Sequence, residues 1–141
     1  MPATKEQMQV ARSSLLDSFA DVEESVICLQ TKLGHKTSAA SLGQRLTLVR
    51  KIKASPQLAK TSVAQLHGHL DRLAALNILR GDIVHARMCV ASIAGETRAC
   101  FINSRECQQE FPSARLLTHE QFVKLNSELR ALAGALKQLV D

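Results

Sequence analysis

The sequence predicts an all-α protein: an up-and-down bundle of about four helices with a small β-hairpin or extended insert before the last helix. Apolar residues recur along much of the chain at alternating spacings of three and four, which is the spacing of one helix face. Aromatic residues make up only 3% of the chain, so the core must be mostly Leu, Val, Ile and Ala. The length of 141 residues predicts a single domain, 1–141.

The first helix is predicted from its start signal and a long apolar stripe. Thr4-Lys5-Glu6-Gln7 has the pattern of a capping box, with Thr4 as N-cap and Gln7 reaching back. The stripe that follows is Met8, Arg12, Leu15, Phe19, Val22, Val26, Leu29 and Leu33. Gly34 is expected to end the helix. A stripe at this spacing is typical of a core face.

The second helix is expected to begin at Ser41 and to end at Ser55-Pro56, because the residue before a proline is disfavoured in a helix. Its inward residues would be Leu42, Leu46, Val49 and Ile52. Its other face would carry four basic residues, Arg45, Arg50, Lys51 and Lys53.

The third helix is expected to begin near Thr61 or Ser62 and to run towards Met88. Two short apolar stretches, Val90–Ile93 and Ala99–Ile102, flank Ala94–Thr97 and predict the small hairpin. Asn103–Ala114 is polar, contains a proline, and is predicted to be a loop. Thr118-His119-Glu120-Gln121 repeats the capping box and predicts the start of the last helix.

The basic residues are unevenly placed along the chain. The net charge is +5, and no acidic residue lies between Glu24 and Asp71. A surface of one sign attracts polyanions, so Arg45, Arg50, Lys51 and Lys53 are candidates for RNA binding. A solvated helix face in a mildly basic protein is the alternative interpretation.

Several classes of site have no support in the sequence. The four cysteines form no CxxC pair and no metal-ligand spacing with histidine, so neither a metal nor a cofactor is expected. Cys28 and Cys89 lie in apolar runs and are expected to act as small hydrophobic residues. Cys100 and Cys107 could approach each other across a loop. The absence of Trp and Tyr argues against a platform that stacks bases on exposed rings.

No signal peptide and no membrane-spanning run is recognised in the sequence. The segment Met1–Arg12 is polar and helix-forming rather than apolar. No apolar run is long enough to cross a bilayer. A cytoplasmic location and no membrane partner are therefore expected.

Arg80, Asp82 and His85 are set into an apolar helical run, Leu76–Ala86. A polar side chain inside such a run costs free energy unless something pairs with it. An arginine and a histidine are therefore placed there either for internal hydrogen bonds or for chemistry. The spacing of Arg80 and His85 is a weak signal by itself. The apolar context and the basic segment upstream strengthen it.

The segment Leu79–Ala86 resembles the motif of the HEPN family (higher eukaryotes and prokaryotes nucleotide-binding). Domains of that family are helical bundles in which an arginine is followed, after four to six residues, by a histidine. Arg80 and His85 match this motif, and the order of the predicted elements is similar along most of the chain. The chain departs from the pattern at Gly81, where the family usually has a polar residue; Asp82 lies one position later.

The resemblance implies a metal-independent endoribonuclease of the toxin or phage-defence kind, in which a 2′-hydroxyl attacks the adjacent phosphate. His85 would be the acid/base, because histidine titrates near neutral pH. Arg80 would bind phosphate with its fixed positive fork, and Asp82 would orient a neighbour or form a hydrogen bond. The implied partners are a second copy of the chain, RNA or a nucleotide, and an antitoxin or another protein.

A regular helix separates the two motif side chains. Five steps along it turn the chain by about 140°, so Arg80 and His85 cannot both face one phosphate from one straight helix. A kink at Gly81 would bring them together. So would pairing across a two-fold dimer, which is how family members build the cleft.

Two other interpretations stay open. One is a catalytically inactive HEPN-like module that binds a nucleotide or a protein, which the glycine at position 81 favours. The other is a plain helical interaction domain in which Arg80 and His85 are buried and paired internally. Solvent access distinguishes them, because an enzyme needs both side chains to be accessible.

Overall fold

The computed structural model describes residues 2–35, 41–103 and 114–139. Within these ranges the chain forms four helices and three strands. In chain order they are α1 (Lys5–Lys32), α2 (Leu42–Val49), α3 (Lys60–His85), β1 (Ala86–Ile93), β2 (Glu96–Asn103), β3 (Ala114–Thr118) and α4 (His119–Gln138). The prediction of a mostly helical chain with a small β element before the last helix is confirmed.

The described residues group into two compact units, whose ranges in the chain are as follows. The sheet unit comprises Met1–Ser18 and Ile78–Glu128 and contains all three strands. The α2 unit comprises Phe19–Asn77 and Leu129–Asp141 and contains α2. Helices α1, α3 and α4 each contribute residues to both units.

Each predicted cap is formed by hydrogen bonds at the predicted residues. In α1 the Gln7 amide donates to Thr4 Oγ1 (3.1 Å) and the Thr4 amide donates to Gln7 Oε1 (2.8 Å). Thr118 and Gln121 repeat this exchange before α4. The end of α1 is a Schellman motif, in which Gly34 has a φ of +75° and the amide of residue 35 donates to the Gln30 carbonyl.

The second helix is shorter than predicted. It ends at Val49, and the amides of Lys51 and Ile52 donate to carbonyls three residues earlier, which tightens the backbone into a turn. Ser55 and Leu58 then pair through their backbones across a second turn, and Leu58 is completely buried. The proline therefore lies in a turn beyond the helix and does not mark its end.

The sheet is larger than the predicted hairpin. Its order is β1-β2-β3, with both pairs antiparallel. The connection between β1 and β2 is the two-residue turn Ala94-Gly95, in which both φ angles are positive (52° and 78°), as a type I′ turn requires. The third helix correspondingly ends at His85 and not at Met88, because Ala86 already pairs with Asn103.

Strand β3 is an addition to the predicted elements, because the sequence pattern predicts a loop over Asn103–Ala114 and only a helix cap at Thr118. Residues 104–113, which include Cys107, lie outside the described ranges, so most of the loop prediction falls on residues that are not described. The two ends of the predicted loop, Asn103 and Ala114, belong to strands β2 and β3.

The two faces of the sheet differ in burial. On the inner face Ala99, Phe101 and Leu117 are buried, and the Phe101 ring packs edge-on against Phe122 of α4 with centroids 6.2 Å apart. A sheet covered on one side is the usual arrangement for antiparallel strands. The opposite face, called the open face below, carries exposed or half-buried side chains: Arg87, Cys89, Arg98, Cys100, Ile102 and Leu116.

The core of the α2 unit is mostly aliphatic, as the composition predicts, and it also includes the buried ring of Phe19. Leu66, Leu70 and Leu73 of α3 have 1% exposure or less, as do Val22 and Val26 of α1. No helix in the described ranges is long and apolar enough to cross a membrane.

Candidate active site at the end of the third helix

Arg80, Asp82 and His85 lie in the last two turns of α3. Arg80 and Asp82 are half-buried, and His85, the final helical residue, is exposed. The interpretation that buries both Arg80 and His85 in the interior is therefore wrong for His85. The motif lies at an accessible end of a helix.

The helix is continuous through Gly81. A single α-helix runs from Lys60 to His85, and a Cβ built on Gly81 would meet no atom within 4 Å. A continuous helix holds Arg80 and His85 about 140° apart around its axis. One copy of the chain thus presents the two side chains in different directions.

Asp82 and His85 share a face of α3, because residues three apart on a helix are neighbours. The Asp82 carboxylate accepts a hydrogen bond from Arg115 Nε of β3 at 2.8 Å. Arg115 is thereby held on the side of α3 that carries His85. The side chains of Arg115 and Asp82 are 41% and 26% exposed, so this ion pair is open to solvent and to an incoming anion.

Arg115 is a site candidate that sequence reasoning misses. It is 33 residues from Asp82 in the chain, and only the pairing of β3 with β2 brings it to the end of α3. The five residues Ala114–Thr118 show no regular alternation of polar and apolar side chains, so the sequence carries little signal for this strand.

The backbone at the end of α3 is held by an arginine from α1. Arg12 Nη2 donates to the Ile83 carbonyl at 2.9 Å. The last four carbonyls of a helix have no partner within the helix, and a cation there is also favoured by the helix dipole. This contact explains why an arginine interrupts the apolar stripe of α1.

Arg80 differs from these two arginines. Its half-buried side chain makes no hydrogen bond or ion pair with any other residue in the described part of the chain. An arginine has five N–H donors in a planar fork that matches two phosphate oxygens. Arg80 therefore has its donors available to an anion.

The predicted RNA-binding residues belong to the α2 unit, and they differ in accessibility. Arg45 is buried: Nη1 donates to Gln30 Oε1 (3.4 Å) and Nε lies 3.8 Å from Glu23 Oε1. The expectation that Arg45 lies on the exposed face is therefore corrected, because an amide and a carboxylate of α1 draw it inward. Lys51 and Lys53 are exposed.

Arg50 is also exposed, but it already has a partner. Its Nη2 lies 2.6 Å from Asp71 Oδ1 of α3, with 45% and 69% of the two side chains exposed. An exposed pair of this kind holds its partners weakly, by about 0–1 kcal/mol, so a phosphate can compete for Arg50.

The described ranges contain no group of three or more His, Cys, Asp or Glu side chains arranged to hold a metal ion. Cys28 and Cys89 are expected to act as small hydrophobic residues in apolar helical runs, but both are exposed. Cys28 is exposed on α1, and Cys89 is exposed on β1. The approach of Cys100 to Cys107 lies outside the described residues.

A comparison of the chain with protein-family models, with curated proteins and with solved structures finds no match.

Proposed function

We propose that this chain is an HEPN-like helical domain, packed as an up-and-down bundle, that cleaves RNA without a metal ion at a cleft between two copies. The observation that carries the proposal is the position of the motif at the accessible end of α3. His85 is exposed there, and Arg80 has no hydrogen-bond partner within the described ranges. A purely structural arginine in this run would be hydrogen-bonded, and a purely structural histidine would be buried.

The chemistry needs one proton-transfer group and one fixed cation. The imidazole of His85 takes the proton of the 2′-hydroxyl and then delivers it to the departing 5′-oxygen. As the bond from the 2′-oxygen to phosphorus forms, the bond from phosphorus to the 5′-oxygen breaks. The Arg80 guanidinium binds the non-bridging oxygens, where negative charge develops. Every atom of this reaction comes from the RNA and these two side chains.

Two copies are needed because α3 is unbroken at Gly81. About 140° separates Arg80 from His85 in one chain, so the proposed site joins Arg80 of one copy to His85 of the other. Arg115 supplies a second cation on the His85 side, oriented by Asp82. In this proposal Asp82 has an orienting role, and the group that it orients is the Arg115 guanidinium.

The first experiment is cleavage of a mixed RNA substrate in EDTA. We expect the wild-type chain to cleave, His85→Ala to lose about 10²–10⁴-fold in rate and Arg80→Ala about 10²–10³-fold. His69→Ala and Arg130→Ala are matched controls, a half-buried histidine of the same helix and an exposed arginine of α4, and both should cleave normally. Activity that needs a metal, or that survives in all variants, contradicts the proposal.

The second experiment tests the shared site by mixing the two inactive variants. Arg80→Ala and His85→Ala chains are combined, unfolded together and refolded. Random pairing makes half of the dimers mixed, and each mixed dimer holds one intact site of two, so about a quarter of the wild-type activity should return. If both residues act within one chain, the mixture stays inactive. That result would contradict the shared site between two copies, but not the proposal that the chain cleaves RNA.

A second candidate function is a catalytically inactive HEPN-like module that binds RNA, a nucleotide or a protein partner such as an antitoxin. The observation that favours it is Gly81, which stands where the family usually has a polar residue. This candidate predicts intact RNA in the cleavage assay but RNA binding that weakens steeply as salt rises. Binding without cleavage, lowered by Arg80→Ala, would select it over the enzyme.

A further inference from the structure

Cys89 of β1 and Cys100 of β2 stand directly opposite each other in the sheet. They are register partners in the antiparallel ladder, and neither is in a disulfide. Both belong to the open face, where Cys89 is exposed and Cys100 is half-buried. Two neighbouring thiols on an accessible sheet face can close to a disulfide within the chain, whereas a single cysteine cannot.

The register places the two cysteines within the span of a disulfide. The pair that closes the turn, Ile93 with Glu96, is the first of the ladder, and hydrogen-bonded and non-hydrogen-bonded pairs alternate from there. Cys89 with Cys100 is four pairs further on and so is a hydrogen-bonded pair. Its Cα atoms are expected about 5.5 Å apart, within the 4.4–6.8 Å of disulfides.

The same register indicates that a bond between them is easily reversed. Cβ atoms of opposite residues lie about 4.5–5.5 Å apart, the wider values belonging to hydrogen-bonded pairs. A disulfide needs about 3.5–4.5 Å, so closure draws the strands together. A disulfide under strain is reduced more readily than a relaxed one.

Two arginines flank the dithiol on the open face. Arg87 precedes Cys89 by two residues and is exposed, and Arg98 precedes Cys100 by two residues, so alternation along each strand places all four side chains on one face. Arg98 is paired with Glu96 at 2.9 Å, which leaves Arg87 as the more available cation. A positive surface raises the local concentration of an anionic reagent.

We propose that Cys89 and Cys100 form a redox site that closes to a cross-strand disulfide by exchange with an anionic low-molecular-weight disulfide of the glutathione class. This site is independent of the proposed ribonuclease activity, since it uses neither Arg80 nor His85.

The exchange balances without any further reagent. The thiolate of Cys89, the more exposed cysteine, attacks one sulfur of oxidised glutathione, forms a mixed disulfide and releases one glutathione thiolate. The thiolate of Cys100 then attacks the Cys89 sulfur, forms the Cys89–Cys100 bond and releases the second glutathione. Two electrons pass from the protein thiols to the glutathione disulfide, and the two thiol protons end on the released glutathiones.

The experiment uses a Cys28→Ser/Cys107→Ser chain, in which Cys89 and Cys100 are the only thiols, incubated with oxidised glutathione. Arg98 lies between the two cysteines, so trypsin separates them unless they are linked. We expect an intact mass lower by two hydrogen atoms, a linked pair of tryptic peptides, and reopening by excess reduced glutathione. Mixed disulfides that persist at both positions, or linkage only between two chains, would overturn the proposal.

A matched control moves one thiol along the same strand and face. In that background, Cys89→Ser with Ala91→Cys creates a diagonal pair with Cys100, and diagonal Cα atoms lie about 7–8 Å apart, beyond disulfide reach. This variant should stop at the mixed disulfide. Closure as fast as in the direct pair would show that the register does not govern the reaction.

The same oxidation of the wild-type chain shows whether Cys100 pairs with Cys89 or with Cys107. Its tryptic map separates the three cysteines into three peptides, so the linked pair is identified directly. We expect the Cys89–Cys100 link, and a Cys100–Cys107 link would overturn the assignment. Arg87→Gln should slow formation of the disulfide by oxidised glutathione a few-fold at low salt, but should not slow its formation by cationic cystamine. Equal slowing with both reagents would contradict the preference for an anionic disulfide.

Discussion

The two basic regions of the chain differ in whether every arginine has a partner. In the α2 unit, Arg45 is buried against Glu23 and Arg50 is paired with Asp71. At the end of α3, Arg115 is likewise paired with Asp82, whereas Arg80 has no hydrogen-bond or ion-pair partner within the described ranges. The two carboxylates of the α2 unit, Glu23 and Asp71, flank the stretch 25–70, which contains no acidic residue. A run of basic residues in the sequence therefore does not show how much of its positive charge is accessible.

The largest expected effect follows from the burial of Arg45. Arg45→Ala should lower the free energy of unfolding by about 2 kcal/mol, because it removes a buried side chain and leaves Gln30 without its donor. Urea denaturation measures this. Arg50→Ala, which removes a solvent-exposed pair, should stay within about 0.5 kcal/mol of the wild type. Equal losses in the two variants would contradict the difference between them.

At the end of α3 the corresponding structural arginine is Arg12. Arg12→Met keeps the apolar stem but removes the bond to the Ile83 carbonyl, and should lower the free energy of unfolding by about 1–2 kcal/mol. Hydrogen exchange should show faster opening of the last turn of α3. Arg130→Met on the exposed face of α4 is the control, and it should change neither quantity.

Local signals in the sequence predict most of the elements, and contacts between distant residues explain the rest. Thr4, Ser41 and Thr118 each start a helix because a cap depends only on residues three apart. Strand β3 exists because it pairs with β2, and the five-residue stretch carries little signal of its own. The end of α2 depends on burying Leu58 after a turn, which no local rule gives.

The sequence selects part of the candidate site and none of its surroundings. The pattern selects Arg80 and His85 on α3, and helix geometry alone places them on different sides. The pairing of Asp82 with Arg115 and the burial of Arg45 cannot be predicted in this way, because each depends on a partner from another element.

A smaller effect, of opposite sign, is expected at Gly81. Gly81→Ala should raise the free energy of unfolding by about 1 kcal/mol, because alanine favours the helix and its Cβ would meet nothing within 4 Å. Gly68→Ala, in the same helix and equally unobstructed, should give the same gain. If both variants are stabilised and only Gly81→Ala loses RNA cleavage, the glycine serves close approach by RNA or a second copy.

The smallest effect on stability is expected at the exposed lysines of the α2 unit. Lys51→Ala and Lys53→Ala should each leave the free energy of unfolding within about 0.5 kcal/mol, because both side chains are exposed. If they contact RNA phosphates, each should lower the dependence of log affinity on log salt by about 0.7. Fluorescence anisotropy with a labelled single-stranded RNA measures this slope, with Lys137→Ala of α4 as control. An unchanged slope in both variants would show that these lysines do not contact RNA phosphates. RNA binding would then be assigned to the end of α3, where Arg80 has its donors available.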